Sequence, residues 1–190
     1  MPDGQHRKSI TTEFEPTLSY NISQSWVVKE TPGELTLSLV QGPENGDLIF
    51  TSPSHVFDPS SPSEPTKVPA PENTKEWLSW FQRHPNLETS KPVPVSVGGA
   101  SGMQIDVAAS STLGDYPRKI CYTGPCVPLY PSSGIPIFVQ PSDEGGKDRY
   151  VMVDVRGETV VINVIASAGK VDEFLPKAQK MLDTVEWKSE

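Results

Sequence analysis

Asp148–Trp187 reads DRYVMVDVRGETVVINVIASAGKVDEFLPKAQKMLDTVEW, and the fold turns on it. A two-residue loop at Gly157-Glu158, glycine first, fits the II′ hairpin pattern. That loop places Arg156 opposite Thr159, Val155 opposite Val160, Val153 opposite Ile162 and Val151 opposite Val164. Side chains alternate along a strand, so these valines and their partners share one face. A loop set back one residue would put Val155 opposite Glu158, so the first register is preferred. The other face carries Tyr150, Met152, Asp154, Val161, Asn163 and Ile165, a mixture expected where a sheet face is only partly covered.

After the hairpin, Val171, Phe174, Leu175, Ala178, Met181, Leu182 and Val185 recur at helical period and make one apolar stripe. Asp172 can cap this helix, with Pro176 in its first turn; alternatively the regular helix begins at Pro176. Either way the stripe must bury against an apolar sheet face, and the preceding hairpin supplies one.

Working back, Val95 and Val97 lead into Gly98-Gly99, and Met103, Ile105 and Val107 return. The returning segment has strand period and no lysine follows, so the glycines make a turn and not a phosphate loop. Asn73 with Glu76 three residues on predicts a helix start. Trp77, Leu78 and Phe81 form its stripe, Trp80 flanks it, and Pro85 stops it. The tryptophan pair reads as core packing, with a ligand platform as the alternative. Between Thr51 and Glu72, Pro53, Pro59, Pro62, Pro65, Pro69 and Pro71 stand among serines. Such a stretch reads as an extended loop, and one this long is functional or mobile.

Nearer the start, Phe14, Leu18, Tyr20 and Ile22 suggest a strand disturbed by Pro16. Trp26 and Val28 begin a second strand. Thr31-Pro32-Gly33-Glu34 suits a type II turn, and Leu35, Leu37 and Leu39 alternate as a third. Gly42 to Asp47 turns into Leu48-Ile49-Phe50, completing an antiparallel meander. Residues 1–12 read as a flexible polar terminus and 13–190 as one α+β domain with a Pro-rich loop at 51–72.

A chain of 190 residues can bury a substantial core in one domain, and 20 prolines with 14 glycines imply many loops. A formal charge of −8 argues against nucleic acid and anionic membrane surfaces as partners. His6, Arg7 and Lys8 read as a solvated end. No apolar run reaches the ~18 residues of a membrane span. The polar start MPDGQHRKSI shows no signal peptide.

The search for enzyme chemistry comes back nearly empty. His6, His55 and His84 stand in no HExxH pattern, and no serine lies in GxSxG. Asp143 and Glu144 read as a solvated turn. His55 near Asp58 is the one candidate acid/base pair, set against a loop histidine in water. The two cysteines, in CYTGPC, are too few for a zinc site. Cys121 and Cys126 read as a local disulfide, against two free thiols, and a disulfide implies an oxidising compartment. No cofactor or metal site is read.

Four segments together carry a resemblance: FEPTLSYNISQSW, CVPLY, RYVMVDVRGETVVI and FLPKAQKMLDTVEW. They resemble the PsbP-like/Mog-like superfamily and, more narrowly, a bacterial extracytoplasmic domain found after membrane anchors in receptors and lipoproteins. The resemblance covers the chain from Phe14 onward. It implies an antiparallel sheet sandwiched by helices, and binding or assembly rather than catalysis.

The expected fold is therefore α+β: one antiparallel sheet of six to eight strands with two helices packed on it. The expected function is a non-catalytic extracytoplasmic binding or sensing module, tethered through an anchor preceding Met1, with a protein or a small ligand as partner. If Met1 is the true start, the chain is cytoplasmic. Three other readings stand beside it: a small hydrolase-type enzyme centred on the Pro-rich loop and His55, a cytosolic assembly factor resembling the Ran-binding Mog proteins, and a structural appendage with no ligand. The regular elements look occupied with the core. Aromatic side chains in the two irregular segments, His55 and Phe57 in one and Tyr116, Tyr122 and Tyr130 in the other, are the expected contact surface.

Overall fold

The alternating apolar pattern builds a broad antiparallel sheet with a core on each face. A computed structural model describes residues 7–40, 45–61, 66–110, 126–133, 136–141, 146–166 and 170–189. The chain opens with β1 (Arg7–Ile10) and β2 (Leu18–Ile22). The meander β3 (Trp26–Thr31), β4 (Glu34–Leu39) and β5 (Gly46–Thr51) follows, then the short strands β6 (His55–Phe57) and β7 (Lys67–Pro69). Helix α1 (Thr74–Arg83) precedes β8 (Leu87–Thr89), β9 (Val93–Val97) and β10 (Ala100–Ala109). The chain continues through β11 (Val127–Tyr130), β12 (Ile137–Val139), β13 (Asp148–Val155) and β14 (Glu158–Ala166). It closes with α2 (Val171–Leu182) and β15 (Glu186–Trp187).

The eight-stranded sheet has the order β3-β4-β5-β14-β13-β10-β8, with β9 also paired to β10. Leu35, Leu37, Leu39, Leu48, Phe50, Val151, Val153, Val155, Val160, Ile162 and Val164 point to one face. There they bury Phe174, Ala178, Met181 and Leu182 of α2 together with Leu18, Tyr20 and Ile22 of β2. The opposite face presents Ile105, Val107, Tyr150, Met152 and Val161 to Trp77 and Phe81 of α1 and to the hairpin β11–β12. Each helix thus takes its own side of the sheet, and the alternation of β13 and β14 serves both cores.

The α1 start is fixed as its sequence predicts. Asn73 accepts the Glu76 N–H at 3.0 Å, and the Glu76 carboxylate accepts the N–H of Glu72 at 3.0 Å. Asp154 ties this end to the sheet, accepting from the Thr74 N–H at 3.1 Å and hydroxyl at 2.9 Å. In the turn Thr31-Pro32-Gly33-Glu34, Gly33 has φ +81°, as a type II turn requires at its third position.

Four expectations need correction. The β13–β14 register pairs Val155 with Glu158, Val153 with Val160 and Val151 with Ile162. The loop is Arg156-Gly157, with φ 55° and 87°. Two positive φ values give a I′ turn, whose twist matches that of the strands. The slip changes the pairing sum by two, so the valine face survives it. The second correction is at the terminus, where Arg7–Ile10 is a strand paired to β2 and not a flexible tail. Its Arg7 and Lys8 read as solvated because edge strands are blunted by charge; Lys8 reaches Glu186 at 2.8 Å. Third, the Pro-rich stretch is not wholly irregular: β6 and β7 pair as a short hairpin. Fourth, α2 begins at Val171 with Lys170 before it and Pro176 inside it. Asp172 is not its cap and instead meets Lys147 at 3.1 Å.

Glu30 closes the lead-in to β2. One of its carboxylate oxygens accepts the consecutive N–H groups of Thr12, Glu13 and Phe14 at 2.6, 2.7 and 2.9 Å. Burial opposes ionisation there, but these three bonds hold the carboxyl below its ordinary pKa.

Candidate functional site

The predicted contact surface is only partly where the sequence placed it. β6 and β11 lie side by side, so the described parts of the two irregular segments do meet. Their aromatics, however, turn inward: Phe57 is 6% exposed and Tyr130 fully buried. Tyr130 packs edge-on against Trp77, ring centres 5.8 Å apart. The reason is volume. A ten-residue helix cannot cover its face of the sheet alone, and these rings fill the remainder. His55 is exposed, its Nδ1 3.0 Å from the Ser54 hydroxyl. Asp58 accepts from Ser60, at 2.8 Å from its N–H and 2.7 Å from its hydroxyl. Tyr116, Tyr122 and Cys121 lie outside the described residues; Cys126 is fully buried. His84 is buried against Trp80, and desolvation lowers its pKa to about 4.

The chemistry gathers elsewhere, on the α1-side face of the sheet. Strand alternation sends Leu35, Leu37 and Leu39 toward α2, so Glu34, Thr36 and Ser38 face the other way. Registers align them with neighbours into rows across the sheet. Lys29, Thr36, Ile49, Asn163, Tyr150 and Ile105 form one row. Glu34 pairs with Thr51 in the next, and Asp47 with Ser38 and Ile165 in the one on the other side. Helix α1 and β11 cover the apolar end of these rows. Over the polar end β12 stands off, leaving a cleft of about 700 Å³. Its floor holds Glu34, Asp47, Ile49 and Asn163, and its far wall Asp148; Ile137 and Phe138 contribute to its lining from β12.

The roof is held by side chains. The Ser132 hydroxyl donates to Glu34, and Thr31 meets Ser133 at 3.0 Å. At the mouth, Lys147 bridges Asp106 at 3.2 Å and Asp172 at 3.1 Å, which links the sheet to the start of α2. Arg149 also grips Asp106, at 2.7 and 3.2 Å. Burial opposes ionisation of Asp106, but the Arg149 and Lys147 charges hold it below the usual carboxylate range.

Asp148 is different in kind. It keeps some contact with the cleft, yet the protein around it strips enough water to push its pKa up to about 7. Burial, with the Asp148 charge adding to it, raises the Tyr130 and Tyr150 hydroxyls as well, so all three groups share one neighbourhood. Tyr150 lies directly across from Asn163, and Tyr130 faces Thr51. Among the described residues neither tyrosine hydroxyl nor the Asn163 Oδ1 has a partner at hydrogen-bonding geometry, although Asn163 is only 1% exposed and its amide lies close enough to Tyr150 to oppose the rise of that hydroxyl, as Thr51 does for Tyr130. Buried polar atoms without partners are uncommon. Chemically the site offers acceptors: carboxyls and an amide oxygen around a half-apolar hollow. Among the described residues no group of three His, Cys, Asp or Glu side chains converges as a metal site would require.

Neither Asp148, Glu34 nor Asn163 was singled out for function by the sequence. The signal available was Asn163 inside the apolar run VVINVIA, in a strand the hairpin pattern already placed centrally.

Comparison with known proteins places no family on the chain: no family model matches, and no curated protein matches. Two solved structures are similar in outline. Cyanobacterial PsbP (CyanoP) from Synechocystis sp. PCC 6803 has a TM-score of 0.47 at 10% identity, covering 97% of this chain and 94% of that one. A Pseudomonas aeruginosa protein of unknown function has a TM-score of 0.42 at 10% identity, covering 97% and 99%. Superpositions this loose transfer no site residue and no activity. No helix among the described residues is long and apolar enough to cross a membrane.

Proposed function

We propose that the domain is a non-catalytic, extracytoplasmic binding module of the PsbP-like/Mog-like sandwich type, and that it holds a small ligand in the cleft beneath β12. The observation that carries this reading is the Asn163 Oδ1: buried, without a hydrogen-bond partner, and lining a cleft of about 700 Å³. A buried acceptor that no protein donor satisfies costs about 1–3 kcal/mol, which a bound donor would recover. The volume lies within the range of small-molecule sites, and the lining mixes aliphatic walls with a few polar groups, as such sites do. The opposed helices support the sandwich assignment; the extracytoplasmic part is carried over from the sequence expectation, since a Cys121–Cys126 disulfide would suit an oxidising compartment.

The test is a thermal-shift screen of small polar metabolites against the native chain and against Ile49→Trp, which fills the floor of the cleft. Compounds that raise the melting temperature of the native chain and leave the variant unmoved support the reading. A screen in which nothing shifts the native chain, or in which both proteins respond alike, rejects it.

A further inference from the structure

We propose that the cleft selects its ligand by a protonated amine, gripped between Asp148 and Asn163; the inference rests on the cleft being a binding site. Three carboxyl side chains, Glu34, Asp47 and Asp148, face the hollow. Of the two lysines beside it, Lys147 is already engaged by Asp106 and Asp172, and Lys29 is exposed at the rim. Above about pH 7, where Asp148 has lost its proton, the potential inside is therefore negative, which repels carboxylate and phosphate groups and attracts a cation.

The unpaired atom on the floor is also an acceptor, the Asn163 Oδ1. An ammonium group is its complement: three donors and no acceptor. Asn163 is directly opposite Tyr150, and Asp148 is two residues along β13, so the two acceptors are diagonal neighbours on adjacent strands. Diagonal positions lie about 7–8 Å apart, which leaves room for one nitrogen hydrogen-bonded to both side chains. Desolvation of Asp148 strengthens the preference, because a carboxyl starved of water gains most from a cation placed beside it.

A bare metal ion fits less well. Calcium needs about six to eight oxygen ligands, and among the described residues no three acidic or histidine side chains converge. The carbon skeleton of an amine has its own place against Ile49, Ile137 and Phe138, the last offering an aromatic ring near the charge.

The experiment titrates the ¹⁵N-labelled full chain with butylammonium, butanol, butyrate and calcium chloride, following the backbone amides of β13 and β14 that border the cleft. Saturable shifts with butylammonium, at least about tenfold tighter than butanol, are expected, with that margin lost in Asp148→Asn. Butanol, butyrate or calcium matching butylammonium would overturn the amine assignment while leaving the cleft a binding site. Silence from all four probes, with the screen above also silent, would overturn both. Circular dichroism of Asp148→Asn guards against misreading an unfolded variant. Asn163→Leu, which removes the acceptor but keeps the volume, supplies the second measurement and is expected to weaken butylammonium alone.

Discussion

Asp148→Asn should make the protein more stable, and only above a certain pH. In the free chain an aspartate titrates near 3.8; in the fold Asp148 does so at about 7. Between those values the fold keeps a proton that the unfolded chain releases. Stability therefore falls as pH rises from about 4 to about 7 and then levels off. The full displacement corresponds to about 4 kcal/mol, and water admitted by the cleft should screen roughly half, leaving about 2 kcal/mol. Other charged groups near the site, Glu34, Asp47 and Lys147, are common to both proteins and cancel in the difference. Glu186, held down to about 2 by the Lys8 and Lys188 ammonium groups, acts in the opposite direction and cancels too. Urea denaturation at about pH 4.5 and about pH 8 is the assay, read as variant minus native. The expected difference is about 0.5 kcal/mol at the lower pH and about 2 kcal/mol in favour of the variant at the higher. A difference that does not change with pH, or a variant less stable at the higher value, would show that the Asp148 carboxyl is not desolvated.

Two further outcomes follow from the packing, and a third from the sequence. Gly98 has φ +58°, and a Cβ there would stand 2.8 Å from Trp187 Cδ1 and 2.9 Å from the Val185 carbonyl oxygen. Gly98→Ala should cost about 1–3 kcal/mol, while Gly99→Ala, with open space around it, should cost about 1 from backbone strain alone; equal denaturant midpoints for the two would contradict the Trp187 contact. Leu182→Ala should lose about 2–5 kcal/mol and Lys180→Ala no more than about 0.5, and matching losses would reject the assigned face of α2. The third tests the disulfide that the sequence alone leads one to expect between Cys121 and Cys126: intact mass spectra would show two alkylation-resistant thiols before reduction and none after, a loop so short would contribute only about 2 kcal/mol, and labelling of both thiols in protein made under oxidising conditions would exclude the bond.

Much of the fold was legible because its signals are periodic. The valines of β13 and β14 fix their shared face whichever turn joins them, so even the mistaken register left the core assignment intact. Trp77 and Phe81 declared a buried stripe, and Asn73 with Glu76 its start. What failed was non-periodic. The edge strand β1 is written in charged residues, and its pairing comes from partners far along the chain. The candidate site failed for a related reason: Glu34, Asp47, Asp148 and Asn163 belong to four different strands, and only the strand order brings them together. Aromatic composition pointed to β6 and β11, whose proximity was anticipated, but composition carries no information on which way a ring turns. Phe57 and Tyr130 turn inward because the core beneath α1 lacks volume without them.

The alternation of the central strands has a consequence for how such a protein can diverge. Odd-numbered residues of β13, Val151, Val153 and Val155, answer to the core under α2; their even neighbours Tyr150 and Met152 answer to the other side. Strand β14 divides in the same manner between Val160, Ile162 and Val164 on one side and Val161 and Asn163 on the other. A lineage can thus rewrite every second residue of a few strands, changing what the cleft accepts, without altering the backbone ladder or the packing of α2. Specificity and stability are inherited on separate sets of positions, interleaved one residue apart along the same strands.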